Sequence, residues 1–210
     1  MKKINKKKLN KKEKMDVVFL LDRSGSMSGV ESDTIGGYNG YLNDMKNQNT
    51  KITTILFDDK YEMITKRENI SNVQKMDNKT YYTRGSTALL DAIGKTIKFM
   101  DVEHAKNVLF IITTDGLENA SSEYNKSQIK EMIEGHNNWE FIYIGADIDS
   151  YAEAQSIGIR RDRTSNYIKS EKGMKTLFGS VEKLCKTYES AGCIGEDWKE
   201  DLENYIDSNK

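Results

Sequence analysis

The feature that most constrains this chain is a short apolar run ending in a carboxylate. Val17-Val18-Phe19-Leu20-Leu21 is uninterrupted by polar residues, and the chain then turns through Asp22-Arg23-Ser24-Gly25-Ser26. An apolar run bounded by turn residues is the pattern of a strand buried on both faces, as in a parallel sheet. Such a strand carries Asp22 to its C-terminal end, and the turn presents the Ser24 and Ser26 hydroxyls beside it. Carboxylate and hydroxyl oxygens are hard ligands of the kind that magnesium, manganese or calcium prefers. The same residues also suit a polar turn before a helix, and the motif alone does not separate the two readings.

The rest of the chain extends the pattern. Lys51 to Phe57, Val108 to Ile112 and Trp139 to Ile144 are further apolar strands. Tyr61 to Thr65 returns as an antiparallel edge strand across the Asp58-Asp59-Lys60 turn, and Asn166 to Lys169 forms a last edge strand. Helical spacing lies between them. Ser28-Gly29-Val30-Glu31 has the spacing of a capping box, which makes Ser28 the cap of a helix running towards Asn47. Tyr38, Leu42 and Met45 share a face of that helix, and close packing on the sheet accounts for Gly36, Gly37 and Gly40. Residues 66–83 are polar and irregular. After them Leu89, Ile93, Ile97 and Met100 mark a second helix, and Ile129, Met132 and Ile133 a third. A short helix covers 150–156, a long one carries Met174 to Tyr188, and Trp198, Leu202, Tyr205 and Ile206 mark a short amphipathic one in the tail. Strands alternating with helices give an α/β domain with a mostly parallel sheet. The expected organisation is a basic arm at 1–14, a domain at 15–190 and a tail at 191–210, within what 210 residues can bury as one core.

Composition narrows the function classes. A net charge of −1 gives no electrostatic argument for a nucleic-acid partner. Residues 2–14 hold eight lysines with no aromatic among them, the composition of a solvated arm rather than a strand-binding surface. No apolar stretch approaches the ~20 residues that span a bilayer, and the basic N-terminus lacks the apolar core of a secretory signal. Cys185 and Cys193 are expected as free thiols. The expectation is a cytoplasmic protein.

The site-bearing residues come from three places. Asp22 and Asp115 each end a buried strand before a Gly-containing turn, and ligands of open parallel sheets bind outside those strand ends, where strand order reverses. Asp22-x-Ser24-x-Ser26, then Thr87 in Gly85-Ser86-Thr87-Ala88-Leu89, then Asp115 in Thr114-Asp115-Gly116 resemble the metal-ion-dependent adhesion site of von Willebrand factor type A domains. The resemblance spans roughly residues 15–190, and three motifs in order are far more specific than one. It implies a doubly wound, six-stranded, mostly parallel sheet with one antiparallel edge strand and helices on both faces. It also implies a site for Mg²⁺ or Mn²⁺, with Ca²⁺ a further candidate, whose open position takes an acidic residue of a partner protein. In the family the serines ligate directly, the threonine joins when ligand is bound, and the aspartates act largely through water. Ile142 to Ile159 is also similar to small stand-alone bacterial and phage versions.

Other chemistries fit less well. Gly94-Lys95-Thr96 lies inside a helix, not at the start of one, so it is no phosphate loop. Met27 stands where a nucleophile elbow needs a serine. His104 and His136 precede parallel strands, which puts them at the sheet edge opposite Asp22 and Asp115 and argues against a catalytic triad. Ser24 stands where an aspartyl-nucleophile phosphatase has its second aspartate. Asp147 and Asp149 are expected as an acidic turn or helix cap. The chain is therefore expected to be a binding module, not an enzyme. A metal-assisted hydrolase using the same cluster, or an assembly component (of a virion, for example) with a purely structural ion, are the alternatives.

Overall fold

In the computed structural model, residues 14–210 are described; the arm expected over 1–14 lies, apart from Lys14, outside the described residues. Six strands form one sheet: β1 (Met15–Asp22), β2 (Thr50–Phe57), β3 (Tyr61–Asn69), β4 (Val108–Thr114), β5 (Glu140–Gly145) and β6 (Thr164–Asn166). Their order across the sheet is β3-β2-β1-β4-β5-β6, with only β3 antiparallel to its neighbour. The chain winds outward from β1 to β3, then returns to lay β4 on the other side of β1. The reversal of strand order therefore falls between β1 and β4, the place where such sheets bind ligands.

Among the described residues six α-helices cover the two faces: α1 (Glu31–Met45), α2 (Leu89–Val102), α3 (Lys126–Gly135), α4 (Ser150–Ser156), α5 (Glu171–Ala191) and α6 (Glu200–Asp207). Alternate residues of β1 feed two separate cores, as the period of a strand requires. Val17, Phe19 and Leu21 pack with Tyr38, Tyr41, Leu177 and Val181 from α1 and α5, and Phe19 meets Tyr38 and Tyr41 edge to face. Val18 and Leu20 pack with Ile93 and Ile97 of α2 and Ile129 of α3. Ile194, Trp198 and Leu202, past α5, join the first core. Among the described residues no helix is long and apolar enough to cross a membrane.

Several local expectations are corrected. Helix α1 begins at Glu31 after Val30, so Ser28 caps nothing; the Glu31 carboxylate instead accepts from the Gly29 N–H and the Thr83 hydroxyl. Strand β3 continues to Asn69, through part of the stretch expected to be irregular. Strand β6 lies at 164–166, earlier than expected, because Arg163 buries against Glu140 and Asp162 and starts it there; Lys169 belongs to the loop that follows. Gly37 is tight against the Phe178 ring of α5 and not against the sheet, while a β-carbon on Gly36 or Gly40 would meet nothing. Helix α4 covers 150–156 as expected, with Asp149 as its cap. Cys185 and Cys193 are both free thiols.

Candidate metal centre

Asp22 is the last residue of β1, and its backbone register with β4 sets Leu21 opposite Thr113. Its carboxylate is fully buried and held on both oxygens. Oδ1 accepts the Ser24 N–H at 2.7 Å, and Oδ2 accepts the Thr114 hydroxyl at 2.5 Å. Burial pushes its pKa up to about 6, against the hydrogen bonds from Thr114 and Ser24 that favour the charged form. A buried carboxylate kept short of positive charge is poised to gain from a cation.

The serine turn continues the site. After Ser24 the chain makes one 3₁₀ turn, Gly25–Met27, anchored by the buried Met27 side chain. The Ser24 and Ser26 hydroxyls lie 3.0 Å apart, and Ser26 donates to Asp115 Oδ1 at 2.5 Å. Asp115 sits one residue beyond β4 and is almost fully buried.

Thr87 arrives on a loop that is strapped down by hydrogen bonds on both sides. It is 2% exposed. Its N–H donates to Asn119 Oδ1, and its carbonyl accepts from the Asn119 and Ala120 N–H groups. The cap position of α2 is Ala88, so Thr87 does not cap the helix. The loop after β4 does: Leu90 N–H donates to Glu118, and Asp91 N–H to Ser121. Asp91 returns the favour by accepting from the Ser122, Glu123 and Tyr124 N–H groups. On its other side the Thr87 loop is tied to the serine turn, through Gly25 N–H to Gly85 O and Arg84 N–H to Arg23 O. Arg23 and Arg84 share the buried Asp58 carboxylate at 2.9 and 2.7 Å, and both stack on Tyr82.

All five expected residues therefore converge on the C-terminal edge of β1 and β4. Gly116 locates the space between them. A β-carbon there would lie 2.7 Å from Thr87 Oγ1, 3.2 Å from Ser26 Oγ and 3.6 Å from Ser24 Oγ. Three hydroxyls thus face one small volume that only a glycine leaves open. Two carboxylates and three hydroxyls, with no thiolate or imidazole, fit a hard divalent ion. Among the described residues no three His, Cys, Asp or Glu side chains form a cluster of their own, so this mixed oxygen set is the candidate. His104 and His136 lie at the other end of the strands, where His104 lines a cleft together with Asp16 and His136 pairs with Asp101.

Four contributors were not legible as site residues. Thr114 and Tyr81 hold Asp22, by its side chain and by its carbonyl (2.6 Å from the Tyr81 hydroxyl). Asn119 holds Thr87. Lys169, from the loop after β6, donates to the Ser26 carbonyl at 2.7 Å and to Asp115 Oδ2 at 3.1 Å. Thr114 stands beside Asp115 in the Thr114-Asp115-Gly116 motif, but its hold on Asp22 spans the gap between two strands; nothing in the local sequence marks the other three, since each bonds to its partner across tens of residues.

No family model and no curated protein matches the sequence. Solved structures do. Proximal thread matrix protein 1 from the mussel byssus, with a zinc-occupied adhesion motif, superposes with TM-score 0.58 at 16% identity, over 82% of this chain and 46% of that one. This chain thus spans less than half of the mussel protein. A von Willebrand factor type A protein from Catenulispora acidiphila gives TM-score 0.57 at 13% identity, over 82% and 42%. Manganese-loaded TRAP protein from Plasmodium vivax gives 0.56 at 20%, over 79% and 73%. With its sheet order and single antiparallel edge strand, the chain has the α/β, Rossmann-like fold of von Willebrand factor type A domains.

Proposed function

We propose that the chain is a divalent-metal-dependent protein-binding module that captures an acidic residue of a partner. The observation that carries this reading is the convergence of the Ser24, Ser26 and Thr87 hydroxyls on the space beside Gly116, with Asp22 and Asp115 behind them. Ser24, Ser26 and Thr87 would hold Mg²⁺ or Mn²⁺, with Asp22 and Asp115 balancing its charge. Two carboxylates only neutralise a dication, so a third, from outside, remains attractive to it; Mg²⁺ also commonly keeps positions open for water or a ligand oxygen. The zinc- and manganese-bearing neighbours support a divalent ion in this fold.

A binding role is preferred over hydrolysis because both carboxylates of the candidate set are already engaged. Asp115 already accepts from Ser26 and Lys169, and Asp22 is enclosed by Ser24 and Thr114. The experiment is partner capture from the source cell in Mg²⁺ and in chelator, using wild type and Thr87→Ala. Thr87 makes its loop contacts through the backbone, so alanine preserves them. Capture is expected to require Mg²⁺ and to weaken tenfold or more in the variant, about 1.4 kcal/mol, with the fold intact. Calorimetric Mg²⁺ binding without metal-dependent capture would make the ion structural instead.

A further inference from the structure

Lys169 has no place in the ligand set above, yet among the described residues it is the lysine whose ammonium is seated on Asp115. It donates to the Ser26 carbonyl at 2.7 Å and to Asp115 Oδ2 at 3.1 Å. The Asp115 side chain is 1% exposed and that of Lys169 27%, so the pair is closed on the aspartate side and reaches solvent on the lysine side. Both oxygens of Asp115 are engaged, Oδ1 by the Ser26 hydroxyl and Oδ2 by Lys169. We propose that Lys169 is a tethered counter-cation of this site, displaced from Asp115 when a divalent ion is held, and that it thereby sets the affinity for the ion. The inference rests on the metal reading given above.

The physical argument is one of competition. In the metal-free chain Asp22 and Asp115 stand at the same sheet edge, one fully buried and one nearly so, and the approach of two carboxylates is costly without positive charge. Lys169 supplies a single charge from within. A dication that draws on Asp115 meets that ammonium within a few ångströms, and like charges so close in a partly desolvated site repel strongly. The ammonium must therefore move outward, and a flexible four-carbon stem lets it do so. Its backbone can stay where it is, because other groups fix the loop. Tyr167 N–H bonds to the Gly145 carbonyl, the Tyr167 ring is buried with its hydroxyl on Met27 Sδ, and Ser170 caps α5 through the Gly173 N–H. The lysine side chain is thus delivered by a fixed loop but does not hold that loop together.

A purely structural ion pair makes a different forecast. Loss of such a pair lowers stability and changes nothing else. Loss of a competitor lowers the stability of the metal-free protein but strengthens metal binding. The test is calorimetric titration of Mg²⁺ into wild type, Lys169→Met and Lys169→Arg, with a thermal melt of each in chelator and in saturating Mg²⁺. Methionine keeps the apolar stem, so the fold is expected to survive. The expected result is at least tenfold tighter Mg²⁺ binding by Lys169→Met, about 1.4 kcal/mol, and a larger Mg²⁺-induced rise in Tm than in wild type. Lys169→Arg retains the charge and is expected to show no such gain. Equal affinity in wild type and Lys169→Met overturns the inference and leaves the metal reading standing. An equal gain in Lys169→Met and Lys169→Arg also overturns it, since charge is then not the cause. Absence of Mg²⁺ binding in all three proteins removes the metal reading and this inference together.

Discussion

Asp22 is the residue at which folding and binding pull in opposite directions. Its carboxylate is wholly buried, and its pKa stands at about 6 against an ordinary value of 3.8. A folded-state pKa above the unfolded one means that the fold favours the neutral form. The metal-free protein is then helped by this group below about pH 4, and that help is lost as the pH rises through about 6. Asp22→Asn removes the charge and keeps the shape. The Ser24 N–H can still donate to the amide oxygen, and the Thr114 hydroxyl can turn its proton to the Gly116 carbonyl, 3.2 Å away, and accept from the amide instead. In chelator the variant is expected to melt with wild type near pH 4 and above it near pH 7, the gap approaching about 3 kcal/mol at the full shift. The same variant is expected to lose Mg²⁺ binding. Melting curves at pH 4 and 7 check the first claim and calorimetry the second; a variant less stable than wild type at pH 7 would show that the carboxylate is structurally satisfied as it stands.

At the scale of elements, α1 separates glycine required by packing from glycine that is merely present. Three glycines interrupt this helix, and each forgoes the roughly 1 kcal/mol by which alanine is the better helix former. A β-carbon on Gly37 would lie 2.1 Å from the Phe178 ring of α5, an overlap that must move one helix or the other. On Gly36 it would meet nothing within 4 Å. Gly36→Ala is expected to raise stability by about 0.5–1 kcal/mol, whereas Gly37→Ala is expected to lower it by about 1–3 kcal/mol through overpacking. Chemical denaturation of the two single variants reads the sign directly. A Gly37→Ala variant that raises the midpoint would mean that α1 and α5 are not packed through Gly37. The loops follow a related logic: α2 starts with its free N–H groups on Glu118 and Ser121, so the Thr87 loop and the loop after β4 hold each other in place.

Across the whole molecule, the site rests on elements that protein contacts hold together. Two apolar cores, one on each face of the sheet, hold the strands, and the ligand loops are bound by their own hydrogen bonds. Chelation is therefore expected to lower the melting temperature without unfolding the chain. Binding to the native state alone at an ion concentration of 100 Kd contributes about 2.7 kcal/mol. For a chain of this size that corresponds to a rise of roughly 5–11 °C in Tm. Melts in Mg²⁺ and in chelator provide the measurement; a chain unfolded at room temperature by chelator would make the ion part of the fold itself.

The alternation of doubly buried strands with amphipathic helices was written in the sequence, because burial on both faces leaves runs such as Val17 to Leu21 with no polar partner to alternate. The five ligand candidates were legible for the same reason: strand ends and helix starts are places where local pattern fixes position. Local pattern failed where a distant group outweighed it. The Ser28 spacing suited a cap, but Glu31 found the Gly29 N–H and Thr83 instead, and α1 began later. Residues 66–83 read as irregular because they are polar, yet β3 runs on to Asn69, and Asn119 and the Asp58–Arg84 pair hold the Thr87 loop from other parts of the chain. Lys169 was one more lysine among many until β6 carried its loop alongside β5, with Tyr167 bonded to Gly145, and its four-carbon stem reached Asp115. Periodicity along the chain determines which face of an element is buried, but which charges meet depends on strand order, and only the tertiary structure decides that.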